Sequence, residues 1–196
     1  MTFEGIDGSG KSTQARLLAE ALAADGREVV LTREPGGTEL GERIRELILD
    51  GGDVAPWAEA TLFAAARAQL VEDVIAPALA RGADVVCDRY LDSSLAYQGI
   101  ARGLAVDRVL ELNVHAIRGI LPDRTFLLLL DPEGSARRLR EPGDRIERED
   151  DAFRARVAEA YRELAATFPR RIVAIDGTRP PREIAEEILE GVRQHS

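Results

Sequence analysis

Two kinds of apolar run alternate along the chain, and their spacing predicts its elements. Short runs rich in Val, Ile, Leu and Phe occupy Met1–Glu4, Glu28–Thr32, Ala83–Asp88, Thr125–Leu130 and Arg171–Ile175, each the length of a strand. Between them, apolar residues recur at the helical period, as in elements buried on one face. Lys11–Ala24 is one such segment, ended by Asp25-Gly26. Thr38–Leu49 is another, with Leu40, Ile44, Leu47 and Ile48 along one face and Gly51-Gly52 closing it. Pro56–Arg81 is a long helical stretch with a bend expected before Pro77, whose ring removes a helical hydrogen bond. Val106–Arg118, the stripe Phe153, Val157, Tyr161, Leu164 and Phe168, and Pro181–Gln194 complete the series. Thr125–Leu130 is apolar without alternation, as in a strand covered on both faces. Arg137–Asp151, in contrast, is charged and poor in apolar residues, the pattern of a solvated segment. Strands and helices in alternation predict an α/β fold, a parallel sheet with helices on both faces.

Composition narrows the function classes. At 196 residues the chain fits one domain that buries about 70% of its unfolded surface. A net charge of -9 argues against broad nucleic-acid binding, which needs a basic surface. A lone cysteine, Cys87, excludes an internal disulfide framework and fits a reducing compartment, so cytoplasm is expected. No apolar run has the length of a membrane span, so no membrane partner is expected.

The chemistry enters with one residue. Of the 26 basic residues a single one is Lys, Lys11, and the rest are Arg. Lys11 stands in Gly5-Ile6-Asp7-Gly8-Ser9-Gly10-Lys11-Ser12, the spacing of a phosphate-binding loop between a strand and a helix. Backbone N–H groups of such a loop wrap a nucleotide's phosphates, the Lys reaches the outer ones, and the Ser hydroxyl ligates Mg²⁺. An Arg fork does not fit where a compact ammonium must bend into the cradle. The chain is therefore expected to bind ATP through Gly5–Ser12. Two strands end in an acid, Asp88 and Asp131, and either could supply the second group of the Mg²⁺ site. A GTPase is excluded, because its Asn-Lys-x-Asp guanine reader needs a Lys that is already used.

Four further blocks follow in order: Thr32-Arg-Glu-Pro-Gly-Gly-Thr38, Leu62-Phe-x-x-x-Arg67, Asp88-Arg-Tyr-x-x-Ser-Ser-x-x-Tyr-Gln-Gly99 and Asp144-Arg-Ile-Glu147. With the phosphate loop they resemble the bacterial thymidylate kinases, from the first strand to the last helix. That resemblance implies the three-layer nucleoside monophosphate kinase fold with a five-stranded parallel sheet. It implies transfer of the γ-phosphoryl of ATP to dTMP with Mg²⁺, in a homodimer. It gives Asp7 a place near the dTMP sugar and acceptor phosphate, Arg89 a hold on that phosphate, and Asp88 a place near Mg²⁺. Phe63 stacks on thymine in the family and Arg67 donates to its O4. Ser94 reads the base edge, Tyr97 crowds the sugar 2′ position, and Gln98 contacts base or sugar. Glu34, Pro35 and Arg45 are further pocket and phosphate contacts. Residues 137–150 correspond to a lid over ATP. Some members carry a catalytic Arg where this chain has Gly8, so the missing charge is expected from Arg138, Arg140 or Arg145.

Two rival readings fit the same sequence: another nucleoside monophosphate or deoxynucleoside kinase on the same fold, and a phosphate-loop regulator that binds ATP without turnover. The chain also departs from the family in having only four residues before Gly5, from which a clipped first strand or an internal start is expected.

Overall fold

The computed structural model describes residues 1–138, 144–146 and 148–194. Its centre is a five-stranded, all-parallel sheet in the order β2-β3-β1-β4-β5. The strands are β1 (Thr2–Glu4), β2 (Val29–Arg33), β3 (Asp84–Asp88), β4 (Thr125–Leu129) and β5 (Ile172–Asp176). All five apolar runs are strands, with ends displaced by a residue or two.

The sheet is buried on both sides, and alternation along each strand decides which side a residue serves. Phe3, Val86, Phe126 and Leu128 pack with Leu18 and Leu22 of α1 (Lys11–Ala24) and with Ile184, Ile188 and Val192 of α9 (Pro181–Arg193). Val85, Cys87 and Leu127 point the other way. There they meet α2 (Glu39–Leu49), α3 (Pro56–Leu70), α6 (Val106–Ala116) and α8 (Asp151–Thr167). Each fully buried Leu, Ile or Phe contributes about 1.5–3 kcal/mol relative to exposure, so both faces hold the sheet in place.

The long helical stretch does not run unbroken to Arg81. A π-helical segment, Val71–Ile75, separates α3 from α4 (Ala76–Ala80) and lies just before Pro77, where the chain must lose a hydrogen bond. Two helical segments carry no periodic signal. Leu91–Ser94 (α5) continues as a π-helical stretch, Leu95–Ala101, and Pro132–Arg138 forms α7. On α2, Ile44 and Ile48 are buried as expected, but Leu40 and Leu47 are 47% and 60% exposed.

The segment expected to be solvated is partly tied down. Arg145 donates from its backbone N–H to Leu49 O and from Nε to Ile48 O, and Ile146 is buried. Its charges find partners in the fold, which a count of polar residues does not reveal. Residues 139–143 and Glu147 lie outside the described residues.

Candidate active site

β1 and β3 are neighbours at the sheet's centre, so the loops leaving their carboxyl ends meet, as sites on open parallel sheets do. The loop after β1 runs from Gly5 to Gly10. Gly5 has φ 138°, and a Cβ there would lie 2.5 Å from Leu128 O, so only glycine fits. Gly10, at φ 98°, precedes α1, whose N-terminus has no side-chain cap and no acid in its first turn. Its N–H groups and positive dipole end are thus left for an anion. Lys11 Nζ curls back over the loop, donating to Ile6 O at 2.9 Å and lying 3.7 Å from Asp7 Oδ1. Burial, with Arg89 adding repulsion, lowers the Lys11 pKa to about 8.

The two strand-ending acids have different partners. Ser12 Oγ donates to Asp88 Oδ2 at 2.5 Å, while Asp88 Oδ1 is buried with no partner among the described residues. Asp131 instead accepts from Gly134 N at the start of α7. An orphaned carboxylate oxygen beside a hydroxyl is an oxygen donor set suited to a hard cation. Among the described residues no group of three or more His, Cys, Asp or Glu could hold a metal by itself.

Arg89 follows Asp88 with φ 67°, a left-handed conformation uncommon outside glycine, Asn and Asp. The guanidinium is fixed from several directions. Nη1 donates to Gly5 O (3.1 Å), Ser93 Oγ (3.1 Å) and Tyr161 OH (3.2 Å), and Nη2 to Asp7 Oδ1. Burial works to raise the Asp7 pKa, but Arg89 and Lys11 outweigh it and hold the carboxyl at about 2. Tyr97 OH lies 3.4 Å from Asp7 Oδ2, and its ring stands under Arg89.

Arg89 and Asp7 line two adjoining spaces. One is an open cleft of ≈ 400 Å³ that also takes in Gly8, Gly10, Lys11, Ser12, Asp88, Arg45 and Arg138. The other is a smaller cavity walled by Phe63, Leu49, Tyr97 and Ile146, with Glu34, Pro35, Arg45, Ser94, Gln98 and Asp144 at its edges. A polar cleft and a cavity with one apolar wall thus share Asp7 and Arg89 at their junction, with Glu34 and Arg45 lining both as well. Their contents can be an oligophosphate and a flat apolar ring, with a second phosphate between.

Arg67 is not in the cavity wall. It is 1% exposed and commits all three nitrogens to the protein: to Glu34, to Ser94 Oγ (3.0 Å) and Asn113 Oδ1, and to Tyr90 O (3.1 Å). A base carbonyl can reach it only by taking the place of one of these acceptors, of which Glu34 and Ser94 line the cavity. The lid arginines separate. Arg138 reaches the loop, donating to Gly8 O (3.2 Å) and Gly177 O (3.0 Å). Arg145 turns away to Glu59 at 2.6 Å. Arg140 lies outside the described residues.

A thymidylate kinase family model matches residues 3–188. The chain belongs to the thymidylate kinase family. The Leifsonia xyli thymidylate kinase is 54% identical over 192 residues, spanning 96% of this chain and 91% of that protein. The Pelotomaculum thermopropionicum thymidylate kinase is 48% identical over 199 residues, 99% of this chain and 92% of its own length. The crystal structure of thymidylate kinase from Ehrlichia chaffeensis superposes with a TM-score of 0.81 at 34% identity, covering 97% of this chain and 96% of that one.

Several side chains that hold this candidate site together are not singled out by the sequence. Tyr161 was expected only as part of an apolar stripe, yet its hydroxyl touches Arg89; a tyrosine on such a stripe carries a polar handle that needs a partner. Asn113 and Glu59 are buried polar groups with no signal of their own in the sequence, and Ser93 stands in the Asp88–Gly99 block without a role assigned to it. Glu59 accepts from Gln98, Arg102 and Arg145, and so holds one wall of the cavity.

Proposed function

We infer that the chain phosphorylates dTMP to dTDP, with ATP as donor and Mg²⁺ as cofactor. The observation that carries this is Arg89, shared between the phosphate cleft and the apolar cavity. A monophosphate whose base fills the cavity presents its phosphate to Arg89, and so faces the phosphate loop. Transfer then breaks the bond from the γ-phosphorus to the bridging oxygen of ADP and forms one to a dTMP phosphate oxygen. The acceptor is already an anion, so catalysis is positioning and charge neutralisation.

The parts divide accordingly. Gly5, Ile6, Asp7, Gly8, Ser9, Gly10, Lys11 and Ser12 cradle the ATP phosphates, with Lys11 on the transferring group. Ser12 and Asp88 would hold Mg²⁺, which, when bound, offsets charge on the bridging phosphates. Phe63 stacks on thymine, and Ser94, Gln98 and Arg67 read its edge, Arg67 by exchanging an acceptor. Tyr97 stands against the sugar and Asp7 near its hydroxyl and the acceptor phosphate. Glu34, Pro35 and Arg45 close the far side. Leu40 and Leu47 on α2 and Trp57 on α3, all exposed, support the homodimer.

A coupled assay of ADP production tests the reading. Turnover with dTMP is expected to exceed that with dCMP and AMP by at least roughly tenfold, since polar groups of the pocket reject a base that leaves them unpaired, and to exceed that with thymidine because thymidine brings no phosphate to Arg89. A flat trace with dTMP would favour a regulator that binds ATP without turnover.

Arg138 is the lid arginine for the transition state. A Cβ at Gly8 would stand 3.4 Å from Arg138 Cβ and 3.2 Å from Ser135 O, so the glycine leaves room for α7 to lay Arg138 over the loop. Arg138→Ala is expected to lower kcat roughly ten- to a hundredfold with little change in either KM, as fits a charge-assisted hydrogen bond that strengthens only toward the transition state. Arg145→Ala should act mainly on KM for dTMP, through Glu59 and the cavity wall. A reversed pattern in steady-state kinetics would exchange the two assignments.

A further inference from the structure

Glu4, the last residue of β1, is 1% exposed and directly precedes the phosphate loop. Its Oε1 accepts from the backbone N–H groups of Tyr90 (2.8 Å) and Ser93 (3.2 Å). Its Oε2 accepts from the hydroxyls of Ser93 (2.6 Å) and Tyr161 (3.0 Å). Those hydroxyls are the same two that receive Arg89 Nη1. A hydroxyl has one proton to give. Once Ser93 and Tyr161 give theirs to Glu4, only lone pairs are left to face the guanidinium.

We propose that Glu4 is a positioning residue for the acceptor phosphate: it sets the polarity of Ser93 and Tyr161, and these fix the Nη1 edge of Arg89 in one orientation. The inference rests on the role given to Arg89 above. A carboxylate in this place is costly, which argues against mere filling of the core. Burial first, then Asp92 on α5, push Glu4 up to about 7, against Arg89 and the hydrogen bonds from Ser93 and Tyr90. Gln would keep the shape and remove the charge, but its amide would donate to the hydroxyls or lose the backbone N–H groups.

Calorimetric titration with dTMP and with thymidine, which lacks the phosphate, separates positioning from structure. Glu4→Gln is expected to weaken dTMP about tenfold, the worth of one lost charge-assisted contact, and to leave thymidine within about twofold. Tyr161→Phe should show a smaller loss of the same kind, and adding it to Glu4→Gln should cost less than the sum of the two. Arg89→Ala is the reference and should weaken dTMP strongly while sparing thymidine. If Arg89→Ala behaves so but Glu4→Gln leaves dTMP unchanged, or weakens both ligands alike, the inference about Glu4 is wrong. If Arg89→Ala spares dTMP, the reading of Arg89 fails first. Should Glu4→Gln not fold, Tyr161→Phe and Ser93→Ala decide: unaltered dTMP affinity in both overturns the proposal.

Discussion

Lys11→Ala is expected to reduce kcat by roughly 10²–10³-fold or more, the scale of removing one preorganised group from developing transition-state charge. Lys11 is the chain's only lysine, and nothing else in the loop can place a compact cation among the γ-phosphoryl oxygens. Its lowered pKa describes a desolvated ammonium, whose interaction with an arriving polyanion is correspondingly strong. The fold should survive, because Lys11 contributes only a hydrogen bond to Ile6 O and a 3.7 Å contact to Asp7. Thermal unfolding should therefore change little while ADP production falls to near background. A variant that keeps most of its turnover would remove the phosphate loop from the mechanism.

Arg67→Ala should do the opposite, damaging fold and substrate binding together. Arg67 is buried against Glu34, itself buried, and no other cation is hydrogen-bonded to that carboxylate among the described residues. Removing one partner of a buried pair costs about 3–5 kcal/mol, because the other charge is left uncompensated. For a chain of this size, that lowers Tm by roughly 6–20 °C. KM for dTMP should rise about ten- to a hundredfold, through the loss of an Arg donor to O4 and the release of Ser94. The pH dependence has a definite sign. Burial already raises the Glu34 pKa against the pull of Arg67, and the variant loses that pull. A carboxyl raised in the folded state favours folding below its unfolded value and loses that advantage as pH rises through the folded one. The gap in stability between the variant and the parent should therefore narrow as the pH falls toward 5. Arg67→Ala combined with Glu34→Gln should recover part of the loss at neutral pH. An equal deficit at every pH would mean that Glu34 is not the cause.

The sheet was readable because its strands are covered on both sides and so appear as short unbroken apolar runs. The phosphate loop was readable because its glycines answer backbone demands that no other residue meets, as at Gly5. Leu91–Ala101 left no such trace. It buries Leu91, Leu95 and Ala96 together with Asp92, Ser94 and Gln98, so no polar face opposes an apolar one. Leu40 and Leu47 show the converse: their period is helical, yet the core takes only the Ile44 and Ile48 side of α2. For Arg67, the resemblance implied a contact to the base but carried no information about the layer in which the side chain lies. Whether an arginine lines a cavity or stands behind its wall depends on Glu34, Asn113 and Tyr90, which come from three other parts of the chain.

A chain with one lysine is also a chain with one side-chain primary amine. With its pKa near 8, Lys11 is partly unprotonated in mildly alkaline buffer and open to acylation, whereas the arginines stay charged and inert. Among side chains, an amine-directed label can therefore report only on the floor of the phosphate cleft. Protection of that single position by a nucleotide can be read from one peptide in a mass spectrum, which gives a direct count of occupied sites without any turnover.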